Sequence, residues 1–407
     1  MSGRDSRSLW PFHVMSKPTG PICNLDCDYC YYLEKENLYP GNQRWKMGDT
    51  CLEQFIRQYI TAQPAGTEEV TFAWQGGEPT LLGIGFFQRC LELQRQFARP
   101  GMKVSNTIQT NGVLMDAEWC RFLRENGFLV GLSIDGPSDV HDAYRKDLRG
   151  QGTQAKVMAS MHLMKRLNVE FNVLVAVHRV NAVDGGRVYR YLRDSGATFL
   201  QFIPVVERAA EGASTGEQVT DRSVSAEQWG QFLCDVFDEW AERDIGRVFV
   251  QIFDQMLGAV LGFEPSLCVF QKRCGRAMAV EHNGDVYCCD HFVDADHLLG
   301  NITSEPLGTL AADPRQIAFG DAKELTLPDE CRACEVLHVC RGECPKNRFR
   351  FSASGQQNLN YLCAGYRRFF NHAMPVTQEM AALIRRGRPP AEITRMRNGK
   401  PPRSFGA

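Results

Sequence analysis

The chain has 407 residues, 43% of them hydrophobic and 23% charged, with a formal net charge of −2. That length exceeds what one hydrophobic core usually serves, so a large domain with a smaller one is expected, and the composition is that of a soluble globular protein. The near-neutral charge gives no footprint for nucleic acid or an anionic membrane. No apolar run reaches the about 18 residues needed to span a bilayer, and the first residues lack the apolar stretch of a secretory signal, so a cytoplasmic protein is expected.

From residue 12 to about 204, short β-rich runs alternate with helical stretches. Strands are expected at 12–15, 70–74, 103–109, 129–134, 170–177 and 199–203, and helices at 50–62, 85–98, 117–126, 154–167 and 184–195. Strands separated by helices make βαβ units and a parallel sheet. An α/β fold with a partial, TIM-like (β/α)6 barrel fits six such strands, and a doubly wound sheet satisfies the same periodicity. Residues 207–223, polar and rich in Gly, Ala, Glu and Thr, read as a linker or mobile loop, and 225–243 as a helix with Ser225 as its N-cap. After Pro265 cysteines become dense and turns frequent, and Asn283-Gly284 predicts a hairpin. The expected organisation is an N-terminal tail at 1–11, the α/β domain with its linker at 12–245, a cysteine-rich domain at 246–375, and a C-terminal helix and solvated Arg/Pro-rich tail at 376–407.

Sixteen cysteines are many for such a chain. In a reducing compartment, clustered cysteines bind metal or act in catalysis more often than they form disulfides. Cys23, Cys27 and Cys30 form C-x3-C-x2-C just after the first expected strand, and Asn24, Asp26 and Asp28 favour a loop in which three thiolates face one centre. Soft thiolates suit an iron–sulfur cluster or zinc. Three ligands leave one iron of a four-iron cluster open to a small molecule. Structural zinc asks for a fourth ligand, and His13 is ten residues back. Gly76-Gly77-Glu78-Pro79 follows the second expected strand, Thr110-Asn111-Gly112 the third, and Ser133-Ile134-Asp135-Gly136 ends the fourth, all on the face where (β/α) sites sit.

Further on, Cys331-x2-Cys334-x5-Cys340-x3-Cys344 precedes Cys363, while Cys268, Cys274 and Cys289 stand upstream. Eight thiolates make two complete sets of four, as two fully ligated four-iron clusters need, with structural zinc as the alternative. Spacing alone suits a sequential division as well as an interleaved one. Cys51, Cys90, Cys120 and Cys234 fall on expected helices and read as small core residues. Cys288 adjoins Cys289, which leaves open which of the two is the ligand.

The cysteine triad with Tyr29 before its last member, followed by Gly76-Gly77-Glu78-Pro79, resembles the signature of the radical S-adenosylmethionine (SAM) superfamily. The later run resembles the SPASM extension of peptide-modifying members. His13-Val14-Met15-Ser16-Lys17-Pro18-Thr19-Gly20, then Cys23-Asn24-Leu25-Asp26-Cys27 with Tyr29 to Leu33, Tyr39-Pro40, and Trp74-Gln75-Gly76-Gly77-Glu78-Pro79-Thr80-Leu81 resemble the anaerobic sulfatase-maturating enzymes. The resemblance runs from about residue 12 to 374.

That resemblance implies three [4Fe-4S] clusters and SAM as cofactors. Cys23, Cys27 and Cys30 would hold the SAM cluster. Gly76 and Gly77 would bring backbone close to SAM, with Glu78 on its methionine ammonium, Ser133 on its ribose or carboxylate, Arg145 on its carboxylate, and Tyr29 and Gln75 beside it. Cys268, Cys274, Cys289 and Cys344 would bind one auxiliary cluster, and Cys331, Cys334, Cys340 and Cys363 the other. Asp290 would act as acid/base, taking the proton of a cysteine or serine that becomes Cα-formylglycine. The implied partners are an unfolded or nascent sulfatase segment with a Cys/Ser-x-Pro/Ala-x-Arg motif and a flavodoxin- or ferredoxin-like electron donor. Two alternatives stand beside it. One is another SPASM maturase, such as a thioether-forming one, although residues ahead of 12 are too few for a leader-binding domain. The other is a non-enzymatic electron carrier or zinc protein, which has no use for an open iron.

Overall fold

The computed structural model describes residues 8, 10–41, 45–209 and 218–397. Ten strands lie among them: β1 (His13–Lys17), β2 (Glu69–Trp74), β3 (Lys103–Thr110), β4 (Phe128–Ser133), β5 (Phe171–Val177), β6 (Phe199–Pro204), β7 (Phe249–Val250), β8 (Ala277–Glu281), β9 (Asp285–Tyr287) and β10 (Leu298–Asn301). The chain divides into two compact units. The first comprises Met1–Ser133, Arg145–Phe171 and Arg273–Ala322, and the second Ile134–Tyr144, Asn172–Lys272 and Lys323–Ala407. The cysteine-rich stretch contributes to both.

In the first unit the strand order is β10-β9-β8-β1-β2-β3-β4. Strands β1 to β4 pair in parallel, as the alternation of strands and helices requires. The helices between them run over Asp49–Thr61, Ile84–Phe97 and Ala117–Glu125. Phe55, Phe72, Trp74, Phe87 and Phe128 are wholly buried, their rings meeting mostly edge to face. The one polar group of that cluster is satisfied, since the Trp74 indole donates to Asn106 Oδ1 at 2.8 Å. Local patterns did not foretell the other side of β1. There β8 pairs with β1 in parallel, with Lys17 opposite Glu281, so the hairpin at Asn283-Gly284 extends the same sheet. An edge strand left bare presents unpaired N–H and C=O groups, and the hairpin covers them. The turn is as expected, with Gly284 at φ +92.

In the second unit β5, β6 and β7 pair in parallel. The helix Ala226–Arg243 opens on Ser225, whose side chain and that of Gln228 form the reciprocal capping box. A 23-residue helix, Cys363–Arg385, packs against it. The C-terminal helix expected after residue 376 therefore starts earlier, at Cys363, because Pro375 is carried inside it rather than ending it. The short helix Glu392–Arg397 follows, and the rest of the expected tail lies outside the described residues. The expected loop at 207–223 is pinned at its base. Arg208 bridges Val219, and Glu207 accepts from Arg222 Nε and Thr220 Oγ1, each at 2.9 Å. Residues 210–217 of it lie outside the described residues.

The two long helices meet through glycines. A Cβ on Gly230 would come within 2.8 Å of the Gly365 Cα, and one on Gly365 would collide with the Ala226 carbonyl. Gly365→Ala is therefore expected to destabilise the protein by about 1–3 kcal/mol, read as a lower melting temperature of the intact protein.

Candidate functional site

β1 ends at Lys17, and the chain turns at Gly20 into the loop that carries Cys23, Cys27 and Cys30. Two sides hold this loop. The Asp26 amide donates to the Lys146 carbonyl at 2.9 Å. Asn111, just past β3, donates to Asn24 Oδ1 at 2.8 Å and to the Cys23 sulfur at 3.6 Å, and the Leu25 amide donates to the same sulfur at 3.4 Å. Donors aimed at a sulfur favour its thiolate. Burial works the other way, pushing the Cys23 thiol up to about 11 and raising Cys30. A cation beside the triad resolves that conflict, and desolvated thiolates in a loop are the donor set an iron–sulfur cluster takes.

Gly76 and Gly77 bring backbone close, but to the chain's own loop. The amides of Gln75, Gly77 and Glu78 donate to the carbonyls of Ser16, Gly20 and Ile22 at 2.8, 2.8 and 2.9 Å. Gly76 sits at φ +123, and a Cβ on Gly77 would collide with the Ile22 carbonyl. The end of β2 is thereby zipped to the segment leading into Cys23. Glu78 is also tied to the chain itself. It is fully buried and accepts from the Thr80 amide at 3.0 Å, Thr80 Oγ1 at 2.6 Å, Thr110 Oγ1 at 2.8 Å and the Asn111 amide at 2.8 Å. Three of these donors fall on Oε1 and one on Oε2, so among the described residues Oε2 keeps an acceptor position, and burial raises its pKa. Glu78 thus ties β2 to the loop after β3, the loop that supplies Asn111.

Ser133 ends β4 and accepts from Gln109 Nε2 at 2.9 Å. Gln109 reaches it by lying over Gly131, its register partner, where any Cβ would strike the Gln109 side chain. Arg145 is 8% exposed, so it is no surface arginine. Its guanidinium lies 5.5 Å from the centre of the Tyr29 ring, and its charge offsets part of the burial that raises Cys30. Tyr29 and Arg145 thus stand together next to the triad.

Asp290 lies two residues past Cys288, beyond β9. Its Oδ2 accepts from the Tyr31 hydroxyl at 3.2 Å, and its Oδ1 is 3.5 Å from the Cys289 sulfur. Burial opposes its ionisation, but His291, Lys17 and the contacts from Cys289 and Tyr31 outweigh it and hold the carboxyl well below the usual range. Lys17, absent from the residues singled out by sequence, is 1% exposed. Its ammonium lies 3.9 Å from Asp290 Oδ2, donates to Gln75 Oε1 at 3.2 Å and sits 4.5 Å from the Tyr32 ring centre. Gln75 is thereby joined to Asp290 through Lys17. In the sequence it stood only within the segment His13 to Gly20, as the residue that closes β1.

Among the described residues no three His, Cys, Asp or Glu converge as a single metal ion demands, and the later cysteines perturb one another in distinct groups. Burial pushes Cys340 up to about 12, with Cys363 and Cys331 adding to the rise. Cys363 is likewise pushed up to about 12 by burial and then by Cys331 and Cys334. Cys344 is raised by burial, Glu343 and then Cys268. Cys331, Cys334, Cys340 and Cys363 therefore stand together, and Cys344 stands with Cys268. This grouping favours the interleaved division over the sequential one. Cys274 and Cys289 belong to the first unit. Buried thiols that raise one another's pKa cannot all ionise unaided, and iron supplies the missing charge.

The three residues between Cys340 and Cys344, namely Arg341, Gly342 and Glu343, all have positive φ (+51, +70 and +54). Left-handed backbone is costly for the two that bear side chains. Arg348, 6% exposed, holds the run by donating to the carbonyls of Arg341 at 2.9 Å, Gly342 at 2.8 Å and Glu343 at 3.0 Å. Nothing in the sequence marked Arg348.

With this geometry in place, the relatives can be compared. A model of the radical SAM superfamily matches residues 18–192, and one of an iron–sulfur cluster-binding domain, SPASM, matches 268–335. A serine-type anaerobic sulfatase-maturating enzyme of Bacteroides thetaiotaomicron is 44% identical, over 94% of this chain and 94% of its own. A cysteine-type anaerobic sulfatase-maturating enzyme of Clostridium perfringens is 34% identical, over 90% of this chain and 97% of its own. The solved structure of anSMEcpe with bound AdoMet and the Cp18Cys peptide superposes with a TM-score of 0.81 at 33% identity, covering 92% of this chain and 99% of that one.

Arg348→Met removes the clamp on the left-handed run between Cys340 and Cys344, two of the expected cluster ligands. Iron bound after anaerobic reconstitution is expected to fall by about four to eight atoms of the twelve that three four-iron clusters hold, as measured by iron analysis alongside the unmodified protein.

Proposed function

Because this chain belongs to the anaerobic sulfatase-maturating enzymes of the radical SAM superfamily, we infer that it oxidises an active-site cysteine or serine of a sulfatase to Cα-formylglycine, and we propose serine as its preferred target. The carrying observation is Asp290, a carboxylate whose Oδ1 lies 3.5 Å from the Cys289 sulfur in the same compact unit as the three-cysteine loop. The serine preference rests on kinship, 44% identity to a serine-type relative against 34% to a cysteine-type one.

In this reading Cys23, Cys27 and Cys30 hold the SAM cluster, and the eight later ligands hold two auxiliary clusters. When bound, SAM and iron–sulfur clusters supply the radical that takes a hydrogen atom from the substrate Cβ and the acceptor for the electron left behind. The chain's own residues bind, orient and move the proton. The backbone at Gly76 and Gly77, together with Ser133, Arg145 and Tyr29, lines the SAM site. Glu78 takes the methionine ammonium and also fixes the loop that carries Asn111. Asp290 takes the proton of the serine hydroxyl or cysteine thiol. A hydroxyl holds its proton more tightly than a thiol, so a serine substrate depends more on that base.

The same reading takes residues 12–245 as the radical SAM domain and 246–375 as the SPASM domain. The partner is an unfolded or nascent sulfatase segment with a Cys/Ser-x-Pro/Ala-x-Arg motif, and electrons come from a flavodoxin- or ferredoxin-like donor. We place the reaction in the cytoplasm. No described helix is long and apolar enough to cross a membrane.

The test is anaerobic incubation of the reconstituted protein with SAM, a reductant and matched serine and cysteine peptides. The serine peptide is expected to lose two hydrogens, one equivalent of 5′-deoxyadenosine appearing per aldehyde, and to react faster than the cysteine peptide. If 5′-deoxyadenosine forms while neither peptide changes, the sulfatase assignment fails. Asp290→Asn is expected to lower aldehyde formation about 10²- to 10⁴-fold.

A further inference from the structure

Lys17 is a charged side chain with almost no solvent contact, a costly arrangement unless its partners compensate. Those partners come from separate segments of the first unit. Gln75 lies just past β2, Asp290 lies past β9, and Tyr32 belongs to the cysteine loop. Tyr32 is fixed in turn, because its hydroxyl donates to Glu281, the register partner of Lys17 on β8. Backbone at both ends of the contact is also set, since the Gln75 amide donates to the Ser16 carbonyl at 2.8 Å, next to Lys17. The lysine therefore has one place to be. By contrast the Asp290 side chain is 20% exposed and sits in an irregular segment, with the Tyr31 hydroxyl at 3.2 Å and the Cys289 sulfur at 3.5 Å as further contacts.

We propose that Lys17 is the positioning residue for Asp290, an ammonium anchored by Gln75 and the face of Tyr32 that aims the carboxylate at the substrate's side-chain proton. The inference rests on the reading of Asp290 as the base. In the overall oxidation two hydrogens leave the substrate residue, one from Cβ as an atom and one from oxygen or sulfur as a proton, with one electron. Hydrogen atom and electron go where the sulfatase-maturating reaction sends them, and the proton goes to Asp290. Lys17 neither gives nor takes a proton. It keeps the acceptor in line, and a misaligned base loses about 10- to 100-fold in that step.

Two measurements on the reconstituted protein test this. The first uses a serine peptide deuterated at Cβ and reads aldehyde formed per deuterium found in 5′-deoxyadenosine, a ratio independent of how much folded enzyme survives. Lys17→Met, close in size and apolar, is expected to lower the ratio about 10- to 100-fold. Lys17→Gln, which keeps a donor for Gln75 but no charge, should behave the same way, and Lys17→Arg should recover part of the loss. The second measurement involves no turnover. Without reductant, the serine peptide should bind the unmodified protein about tenfold more tightly than its alanine counterpart, through the hydrogen bond to an aimed carboxylate, and Lys17→Met should erase that preference.

Asp290→Asn separates the layers. A low ratio in Asp290→Asn with a normal ratio and normal serine preference in both neutral Lys17 variants overturns the positioning role and leaves the base in place. A normal ratio in Asp290→Asn overturns the base and, with it, the role of Lys17.

Discussion

The site depends first on one close contact of backbone with backbone. Three amides at the end of β2 donate to three carbonyls of the chain leaving β1, an approach that Gly77 permits because a Cβ there would strike the Ile22 carbonyl. Everything nearby inherits its position from that zipper. The cysteine loop begins where it ends, and Glu78 extends it by drawing in the loop after β3, from which Asn111 reaches back to the Cys23 sulfur. A carboxylate with four internal donors is a structural fastener. The motif works by shaping the rim of the site, so its glycines matter for contact between two stretches of chain before any ligand arrives.

The second unit uses a different device. Its cysteines are close in sequence and divide between two groups, which requires the chain to reverse its course between Cys340 and Cys344. Three successive residues in the left-handed region make that reversal, and a buried guanidinium holds their carbonyls. Arginine suits the task, since its planar fork presents several donors in fixed directions. The charge of Arg348 also lies near several thiols, and the neighbouring Glu343, Cys331, Cys340 and Cys344 all favour its charged form against the burial that lowers its pKa.

Much of this was legible in the sequence. The alternating strands, Ser225 as a cap and the Asn283-Gly284 turn follow from local rules, and they appear within a residue or two of their expected places. The grouping of Cys363 with Cys331 and Cys334 was not legible from spacing, because Cys363 heads a helix far along the chain. Nor was the pairing of β8 with β1, since which distant hairpin covers a bare strand is a tertiary choice. Glu78 illustrates a subtler limit. Its importance could be read, but its partners could not, because Thr110 and Asn111 are brought to it only by the register of β2 and β3. Lys17 and Arg348 escaped notice for a related reason. A buried cation is defined by what surrounds it, and lysine or arginine alone reads as surface.

Cys363 is the first residue of a 23-residue helix that docks, glycine against glycine, along Ala226–Arg243. With Cys363 read as a cluster ligand, iron binding at that residue and docking of the helix are linked events, each favouring the other by mass action. A cell short of iron would hold more chains with this helix undocked, and undocked helices are what proteases find first. The abundance of the protein, and not only its catalytic competence, would then follow the metal supply, making the second unit a gauge of iron sufficiency written into the lifetime of the chain.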